Sequence, residues 1–306
     1  MHNKFIYGVT HHGTAHLDDF LSSCFLLALN DSTFKIYRRD PTDEELQNKL
    51  IAVFDIGLQH NPDLSNFDHH QFDSSYGKCA FSLILEHYNV YDTAKTSFPW
   101  LDYVEYFDVN GHFKLSSKIG IDPKDFLKLK SPVEDFCLKL FQQQNVIQQG
   151  DFLYDLMFKF GEYLFDYITK YNLRMKVLEN NIKIFNLNDN EYLAYLPDSL
   201  DYKNDPEFCL FAYLEKLSQE KNIIFPMVIV PNNRQKGIKM IRVNDNVKVD
   251  FNKYQNKENI FFCHKNGFLL VPINFDIMNL IDIFEQSYSA SITNKNLAEE
   301  LLTEII

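Results

Sequence analysis

Histidine and aspartate residues cluster at three places near the start of this 306-residue chain. Residues 10–19 read Thr-His-His-Gly-Thr-Ala-His-Leu-Asp-Asp, residues 53–57 read Val-Phe-Asp-Ile-Gly, and residues 66–71 read Asn-Phe-Asp-His-His-Gln. Eight of the ten histidines lie within the first 87 residues. Imidazole and carboxylate groups together ligate divalent cations such as Mn²⁺, Zn²⁺ or Fe²⁺, and two cations require about this many ligands. The pattern therefore predicts a two-metal centre.

The segments around these clusters predict the elements that position them. Residues 5–9 form a short apolar run typical of a buried strand, and the first cluster follows its end. Residues 20–29 predict a helix, and residues 51–54 predict a second buried strand that ends at Asp55. Residues 68–70 follow a third short strand or a loop. Ligands bind outside the carboxyl ends of strands in open α/β sheets, so we expect the clusters to converge at one sheet edge.

Single acidic residues in these clusters also have an interpretation without metal. Asp18 and Asp19 stand at the start of the predicted helix, where carboxylates stabilise the positive end of the helix dipole. A lone aspartate after a strand, such as Asp55, is common as a turn or cap residue. The three clusters together nevertheless favour the metal centre.

The three clusters resemble motifs of the DHH phosphoesterase superfamily, which includes RecJ-type exonucleases, oligoribonucleases and family II pyrophosphatases. More narrowly, they are similar to the family of the eukaryotic melanocyte-proliferating-gene protein and its bacterial relatives. The motifs of that family, T-H-x-G-x-x-H-x-D-D, D-[VI]-G and F-D-H-H-Q, match residues 10–19, 55–57 and 67–71. Further matches lie at residues 39–41, 80–88, 103–108 and 262–268.

The resemblance implies a role for each residue of the motifs. The implied metal ligands are His11, His16, Asp18, Asp55, His69 and Asp108, with Asp55 bridging the two cations. His70 is implied to be the general acid beside the second cation, and Asp68 to orient a ligand imidazole. The implied substrate contacts are Arg39, His264, Lys265 and Gly267, although Arg39 could equally brace the sheet. Two choices stay open, because His12 could replace His11 and Asp102 could replace Asp108.

Three regions are expected along the chain. The resemblance implies an α/β fold in which residues 1–125 form a DHH-type catalytic domain, an open and mostly parallel sheet with flanking helices. Residues 126–180 would form a helical connector, and residues 181–306 a smaller α+β domain that binds substrate. The second boundary is placed where residues 180–190 become rich in asparagine with alternating Ile and Phe. Apolar runs at residues 183–185, 192–195, 227–230 and 238–243 predict strands beyond it.

Charge and composition limit the class of partner. The net charge is -12 at pH 7, which argues against sequence-independent binding to long duplex DNA, since that requires a strongly basic surface. Short or single-stranded RNA and small phosphate esters stay compatible, because bound cations hold a few phosphates. The five cysteines form no C-x-x-C pair, which argues against zinc-finger and thioredoxin-like proteins. No signal peptide or membrane-length apolar run is visible, so the sequence predicts a cytoplasmic protein.

Three functions are consistent with these features. The first is a 3′–5′ exonuclease on short or single-stranded RNA, to which the family resemblance points. The second is a small-molecule phosphohydrolase acting on pyrophosphate, a nucleotide bisphosphate or a dinucleotide. The third is a metal-stabilised binding module without catalysis. The first two use two divalent cations, with Mn²⁺ expected and Zn²⁺, Fe²⁺ or Mg²⁺ as alternatives. Assembly into a homo-oligomer is left open by the sequence.

Overall fold

The computed structural model describes residues 4–129, 131–197, 206–232, 237–273 and 277–305. The chain divides into two units, Met1–Tyr171 and Asn172–Ile306, and each combines helices with a mixed β-sheet. The α/β class expected from the sequence is confirmed, whereas the finer domain limits at residues 125 and 180 stay a prediction. Within the described ranges, no helix combines the length and the apolar character that a membrane crossing requires.

The first unit is built on a six-stranded sheet. Its strands are β1 (Tyr7–Thr10), β2 (Ile36–Arg38), β3 (Ile51–Phe54), β4 (His60–Asn61), β5 (Asn66–Phe67) and β6 (Val146–Ile147). They lie in the order β4-β5-β3-β1-β2-β6. The central strands β5, β3, β1 and β2 are parallel, whereas β4 and β6 pair antiparallel at the two edges. The carboxyl ends of β1, β3 and β5 therefore lie side by side at the same end of the strands, which we call the carboxyl edge of the sheet.

The centre of this sheet is buried, as parallel strands covered by helices require. All four residues of β3 are buried, and β1 is buried from Gly8 onwards. A Cβ on Gly8 would lie 2.8 Å from Ile36 Cδ1 and 3.1 Å from Phe54 Cε1. The glycine therefore leaves the space beside β1 to these two larger side chains.

Eight helices in the described part of the chain begin in the first unit. They are α1 (Leu17–Leu29), α2 (Asp43–Leu46), α3 (Ala80–His87), α4 (Tyr91–Ser97), α5 (Trp100–Ile119), α6 (Pro123–Lys128), α7 (Pro132–Gln142) and α8 (Phe152–Asn181). Helix α1 is central, because it is buried from Asp18 to Leu27 and contacts α3, α5 and α7. Its first turn is capped by Asp19, whose Oδ1 accepts the His16 N–H at 2.8 Å.

Helices α8 and α1 approach each other closely at Gly161. A Cβ at this position would overlap the carbonyl oxygen of Cys24 and lie 2.9 Å from Ala28 Cβ. We expect Gly161→Ala to lower the free energy of unfolding by about 1–3 kcal/mol, because the methyl group forces the packed helices apart. This effect opposes and outweighs the roughly 1 kcal/mol by which alanine favours a helix. Urea denaturation followed by circular dichroism measures the change.

The control is Glu162→Ala, at the exposed neighbouring position of the same helix. We expect it to change the free energy of unfolding by less than about 0.5 kcal/mol, as for most surface substitutions. A Gly161→Ala protein as stable as the original would contradict the close helix contact.

The second unit has its own six-stranded sheet. Its strands are β7 (Lys183–Asn186), β8 (Glu191–Tyr195), β9 (Ile224–Pro231), β10 (Ile238–Arg242), β11 (Ile260–Cys263) and β12 (Leu269–Pro272), in the order β11-β12-β10-β9-β8-β7. Only the β8–β9 pairing in this sheet is parallel among the described residues. The helices are α9 (Pro206–Lys221), α10 (Ile277–Ser287) and α11 (Leu297–Ile305). Leu280 and Phe284 of α10 join Met240 and Leu270 in the buried core.

Candidate metal centre

Asp55 lies at the carboxyl end of β3, at the middle of the edge where the parallel strands end. Its backbone N–H donates to Phe67 O at 3.2 Å, which continues the pairing of β3 with β5. Its φ of 58° is in the left-handed region, which aspartate tolerates better than most residues. Gly57 and Leu58 also have positive φ values. The chain therefore turns sharply after the strand and holds the Asp55 carboxylate at the carboxyl edge of the sheet. Left-handed backbone at a residue other than glycine is strained, and such strain concentrates at functional sites.

The end of β1 brings His11 to this carboxylate. His11 Nε2 lies 3.2 Å from Asp55 Oδ2 and 3.2 Å from Asp19 Oδ2, and its Nδ1 is 2.9 Å from His12 O. His16, His11 and Asp55 place three potential ligand atoms within 4.8 Å of one another. His12 is directed elsewhere, since its side chain is 65% exposed and its Nδ1 lies 3.7 Å from Asp40. Of the two histidines left open by the sequence, the structure brings His11 to the cluster.

The end of β5 brings His69 to the same carboxylate from the other side. His69 Nε2 lies 3.0 Å from Asp108 Oδ2, 3.2 Å from Asp55 Oδ1 and 3.9 Å from Asp18 Oδ2. One nitrogen carries at most one proton, so it cannot donate to three carboxylates at once. A nitrogen surrounded by carboxylate oxygens in this way has the arrangement of ligands around a shared cation.

Several buried carboxylate oxygens of the cluster lack a donor of their own among the described residues, because the Nε2 atoms of His11 and His69 are each shared between carboxylates. They are Asp18 Oδ1, Asp19 Oδ2, Asp55 Oδ2 and Asp108 Oδ2. A buried oxygen without a donor costs free energy, and for a charged group the cost is larger. Oxygen and imidazole nitrogen together suit Mn²⁺, Zn²⁺ or Fe²⁺. The residues present therefore fit a divalent metal, and these acidic and histidine groups could hold metal ions.

The carboxylates of the cluster shift one another's protonation. Burial raises the pKa of Asp18 well above its ordinary value, and the charges of Asp55 and Asp108 raise it further. Burial also raises the pKa of Asp19. Burial acts on Asp55 in the same direction, but hydrogen bonds from His11 and His69 lower its pKa to about 2. The cluster thus concentrates negative charge in a buried place, and a bound cation lowers the repulsion between its carboxylates.

The negative charge of these carboxylates shifts the pKa values of His11 and His69. Burial alone would lower the pKa of His11, but hydrogen bonds to Asp19 and Asp55 raise it to about 10. Burial opposes protonation of His69 as well, and hydrogen bonds to Asp108 and Asp55 raise its pKa to about 10. The carboxylates therefore attract positive charge to both Nε2 atoms. A ligand imidazole must be neutral, so a metal cation and a proton compete for each of these nitrogens.

Asp68 and His70 form a separate pair at the rim of the cluster. Asp68 is buried, its Oδ2 accepts the Leu58 N–H at 2.6 Å, and its Oδ1 lies 2.7 Å from His70 Nδ1. The hydrogen bond to Asp68 raises the pKa of His70. The His70 side chain is 53% exposed, and its Nδ1 also lies 3.7 Å from Asp55 Oδ1. Asp68 therefore engages Nδ1 and leaves Nε2 of a half-exposed imidazole for another partner.

Asp19 is a member of the cluster that the sequence-based ligand set omitted. Besides capping α1, it lies with Asp18 and Asp55 in a group whose ligand atoms are within 4.8 Å of one another. Its Oδ2 is also 3.7 Å from Nη2 of Arg38, a buried guanidinium that donates to Gly13 O and Phe141 O. The sequence marks Asp19 as the second aspartate of the first motif. Its position in the first turn of the predicted helix also explains this residue without a metal.

Asp108 reaches the cluster from the helical segment α5. Its Oδ2 faces His69, whereas the alternative residue Asp102 is 73% exposed and pairs with Lys95. The structure therefore brings Asp108, and not Asp102, to the site. The segment is interrupted at Gly111, where φ is 74°.

Glu105 holds this segment in place one helical turn before Asp108. The buried Glu105 carboxylate accepts from Ser82 Oγ at 2.5 Å, from Tyr91 Oη at 2.8 Å and from Lys95 Nζ at 2.6 Å. These donors belong to α3 and α4. Residues three positions apart lie on the same side of a helix, so the three contacts that fix Glu105 also position the Asp108 side chain.

Arg39 follows β2 and is paired within the protein. Its Nη1 and Nη2 donate to Glu45 Oε2 and Oε1 at 2.8 Å and 2.6 Å, a bidentate pair. Tyr7 Oη of β1 donates to the same carboxylate at 2.7 Å. These contacts connect β2, α2 and β1, and they correspond to the bracing role that the sequence left open beside phosphate binding.

The remaining sequence-predicted residues lie in the turn that joins β11 to β12 in the second unit. His264 N–H donates to Leu269 O at 2.9 Å, and Gly267 N–H donates to His264 O at 2.8 Å. Gly267 has a φ of 62°, and a Cβ there would overlap Asp250 Oδ1 and lie 2.9 Å from Asn252 Nδ2. The turn geometry itself therefore requires glycine. Lys265 and His264 lie on this turn, and their contact with substrate stays a prediction.

The fold and the cluster together define an α/β protein with a histidine–aspartate centre at the carboxyl ends of the parallel central strands of a mixed sheet. A family model named MYG1_exonuc, described as an uncharacterised protein family (UPF0160), matches residues 8–91. This region contains the three motifs and ends before Asp108. No curated protein matches the chain.

Proposed function

We propose that this protein is a metal-dependent phosphodiester hydrolase of the DHH superfamily. The observation that carries the proposal is the group of buried carboxylate oxygens that share the Nε2 atoms of His11 and His69, since each nitrogen can donate to only one of them. The name of the matching family model, which denotes an exonuclease, supports the same class of reaction. Two divalent cations are proposed, with Mn²⁺ first and Zn²⁺, Fe²⁺ or Mg²⁺ as alternatives.

The ligands are divided between two positions. His11, His16 and Asp55 would hold one cation, and Asp18, Asp55, His69 and Asp108 would hold the other. When bound, the cations supply an activated water and neutralise charge at the phosphoryl group. Asp55 is suited to the shared position, because Oδ2 faces His11 and Oδ1 faces His69. We add Asp19 as a further candidate at the first position, since its Oδ2 faces the same His11 nitrogen.

His70 is proposed as the general acid. Asp68 holds its Nδ1, and the half-exposed ring lines a cavity of about 200 Å³ together with His16, His69 and Asp108. In this position Nε2 can give a proton to the leaving oxygen of a substrate that reaches the cavity. The cavity also argues against a purely structural metal site, because structural sites are closed by protein ligands.

The proposed substrate is short or single-stranded RNA, degraded from its 3′ end in the cytoplasm. The acidic chain, with a net charge of -12, supports a short substrate held at a local centre over long duplex DNA. Buried thiols such as Cys24 and Cys79 are typical of proteins from a reducing compartment. The alternative is a phosphohydrolase for pyrophosphate, a dinucleotide or a nucleotide bisphosphate.

A substrate panel with Mn²⁺-loaded protein tests this proposal. The panel contains labelled oligoribonucleotides, oligodeoxyribonucleotides, pyrophosphate, a dinucleotide and a nucleotide bisphosphate. Release of 5′-mononucleotides from RNA, abolished by a chelator and restored by Mn²⁺, is the expected result. Turnover of the small compounds alone would replace the proposal with the alternative. Protein that contains metal and hydrolyses no member of the panel would contradict both.

We also propose that the second unit supplies substrate contacts through His264, Lys265 and Gly267. His264→Ala is expected to raise KM more than it lowers kcat, because loss of a contact made equally in the ground and transition states raises KM alone. Steady-state kinetics on the best substrate of the panel measures both constants. The control is His112→Ala, which removes a histidine of the first unit outside the metal centre. Unchanged kinetics of His264→Ala would remove His264 from the substrate site.

A further inference from the structure

The segment between the double histidine and α3 carries two aromatic side chains beside the metal centre. Residues Phe72 and Tyr76 are 38% and 37% exposed, and their ring centroids lie 4.1 Å apart at an interplanar angle of 31°. Both residues line the cavity of about 200 Å³ that also contains His69, His70 and Asp108. Solvent-exposed aromatic rings adjoining a site for phosphoryl chemistry are the arrangement with which proteins stack nucleobases.

The backbone holds these rings in a defined position. Phe72 N–H donates to His69 O at 3.0 Å, and Tyr76 N–H donates to Asp73 O at 3.1 Å. Asp73 Oδ1 accepts the Ser75 N–H at 2.8 Å and closes the turn between the two aromatic residues. The Phe72 ring also contacts the ring of His60 in a T-shaped arrangement, with the centroids 6.0 Å apart. Hydrogen bonds thus fix the backbone that carries the aromatic pair, and a fixed backbone reduces the entropic cost of stacking.

The charged neighbour of the pair is already engaged. Lys78 lines the same cavity, but its Nζ forms an ion pair with Glu86 and lies 6.0 Å from the Tyr76 ring. We therefore assign no phosphate to Lys78. The aromatic rings are therefore the groups available to contact a base, and the metal centre is the group available to bind the phosphate.

We propose that Phe72 and Tyr76 form a stacking surface for the base of the nucleotide whose phosphate is bound at the metal centre. This inference rests on the proposed function and names its substrate as one with a base, that is, a nucleic acid or nucleotide and not pyrophosphate. Stacking accepts every base, because each has a π-face, so the surface selects for a base without selecting a sequence. Phe72 lies three residues after His69 in the chain, so the distance between the stacking surface and the metal centre is short.

Equilibrium binding tests the surface without requiring turnover. The ligands are adenosine 5′-monophosphate and ribose 5-phosphate, which differ by the base, and the protein is the full chain loaded with Mn²⁺. We expect the unmodified protein to bind the nucleotide about ten-fold to a hundred-fold more tightly, the range expected for stacking of one base. The double variant Phe72→Leu with Tyr76→Leu should lose this preference and bind ribose 5-phosphate as before.

Two further variants serve as controls. Tyr76→Phe keeps the ring and should keep the preference, which shows that stacking and not the hydroxyl is responsible. Phe113→Leu removes an aromatic side chain that is 67% exposed elsewhere in the same unit, and it should also keep the preference. Thermal unfolding of each variant establishes that it is folded, and single Phe72→Leu and Tyr76→Leu variants replace the double variant if it is not.

The outcomes separate this inference from the proposed function. Equal binding of the two ligands by the unmodified protein, or a preference that survives loss of both rings, would overturn the stacking surface. A preference that depends on the rings in a protein that hydrolyses no RNA would support the surface and contradict the nuclease. RNA hydrolysis without any such preference would leave the nuclease in place and remove the surface.

Discussion

Asp55→Asn is expected to abolish both metal binding and hydrolysis. The two oxygens of Asp55 face different histidines, Oδ2 facing His11 and Oδ1 facing His69. An amide supplies one neutral oxygen in place of two charged ones, so the substitution weakens both proposed metal positions at once. Asparagine also tolerates the left-handed backbone at φ 58°, so the change tests the carboxylate and not the turn.

Elemental analysis of protein purified without chelator measures the metal content per chain, and the substrate panel measures the rate. The matched control is Asp63→Asn, which removes an exposed carboxylate of the same unit and should leave both quantities unchanged. Full metal content in Asp55→Asn would show that metal binding does not depend on this residue. Loss of one cation with the other retained would assign Asp55 to a single position.

His70→Ala is expected to lower kcat by about 10²–10⁴, the usual contribution of a general acid or base. Metal content should stay close to that of the unmodified protein, because Nδ1 of His70 is engaged by Asp68 and the ring stands at the rim of the cluster. Single-turnover kinetics together with elemental analysis separates the two effects. The control is His12→Ala, whose exposed ring lies near Asp40 and outside the cluster.

The opposite pattern would exchange the roles assigned to neighbouring histidines. His70, His69 and Asp55 place ligand atoms within 4.8 Å of one another, so His70 is geometrically able to bind a cation. If His70→Ala loses metal in proportion to activity, His70 is a ligand and the acid is another group. If His12→Ala loses metal, the centre uses the other histidine of the first motif.

The positions of the predicted ligands follow from features that are local in sequence. An apolar run of four or five residues forms a buried strand, and the strands predicted at residues 5–9 and 51–54 correspond to β1 and β3. A polar residue directly after such a strand must lie at its carboxyl end. Since β1, β3 and β5 are parallel neighbours, their ends share one edge, and His11, Asp55 and His69 come together there. Short apolar runs and the expected α/β class were enough to predict this convergence.

Other assignments depended on partners that are distant in the chain. Arg39 could contact phosphate or brace the sheet, and only the positions of Glu45 and Tyr7 show its bidentate pairing within the protein. Gly267 fitted close approach to a ligand, whereas the structure shows that Asp250 occupies the space of a side chain there. In each case the residue type allows two roles, and the structure shows the within-protein contacts that support one of them, while contact with substrate stays a prediction.

The sequence by itself determined the chemistry of the centre, because imidazole and carboxylate groups at strand ends are specified by residue type and by short-range hydrophobic pattern. The tertiary structure decided which members of each motif take part. Asp19 joins Asp18 in the cluster because its Oδ2 lies 3.2 Å from His11 Nε2 and 3.7 Å from Arg38 Nη2, which other segments of the chain supply. Asp108 takes part because its Oδ2 lies 3.0 Å from His69 Nε2, whereas Asp102 is exposed and pairs with Lys95 of α4. These choices rest on packing between segments far apart in sequence, which no local pattern encodes.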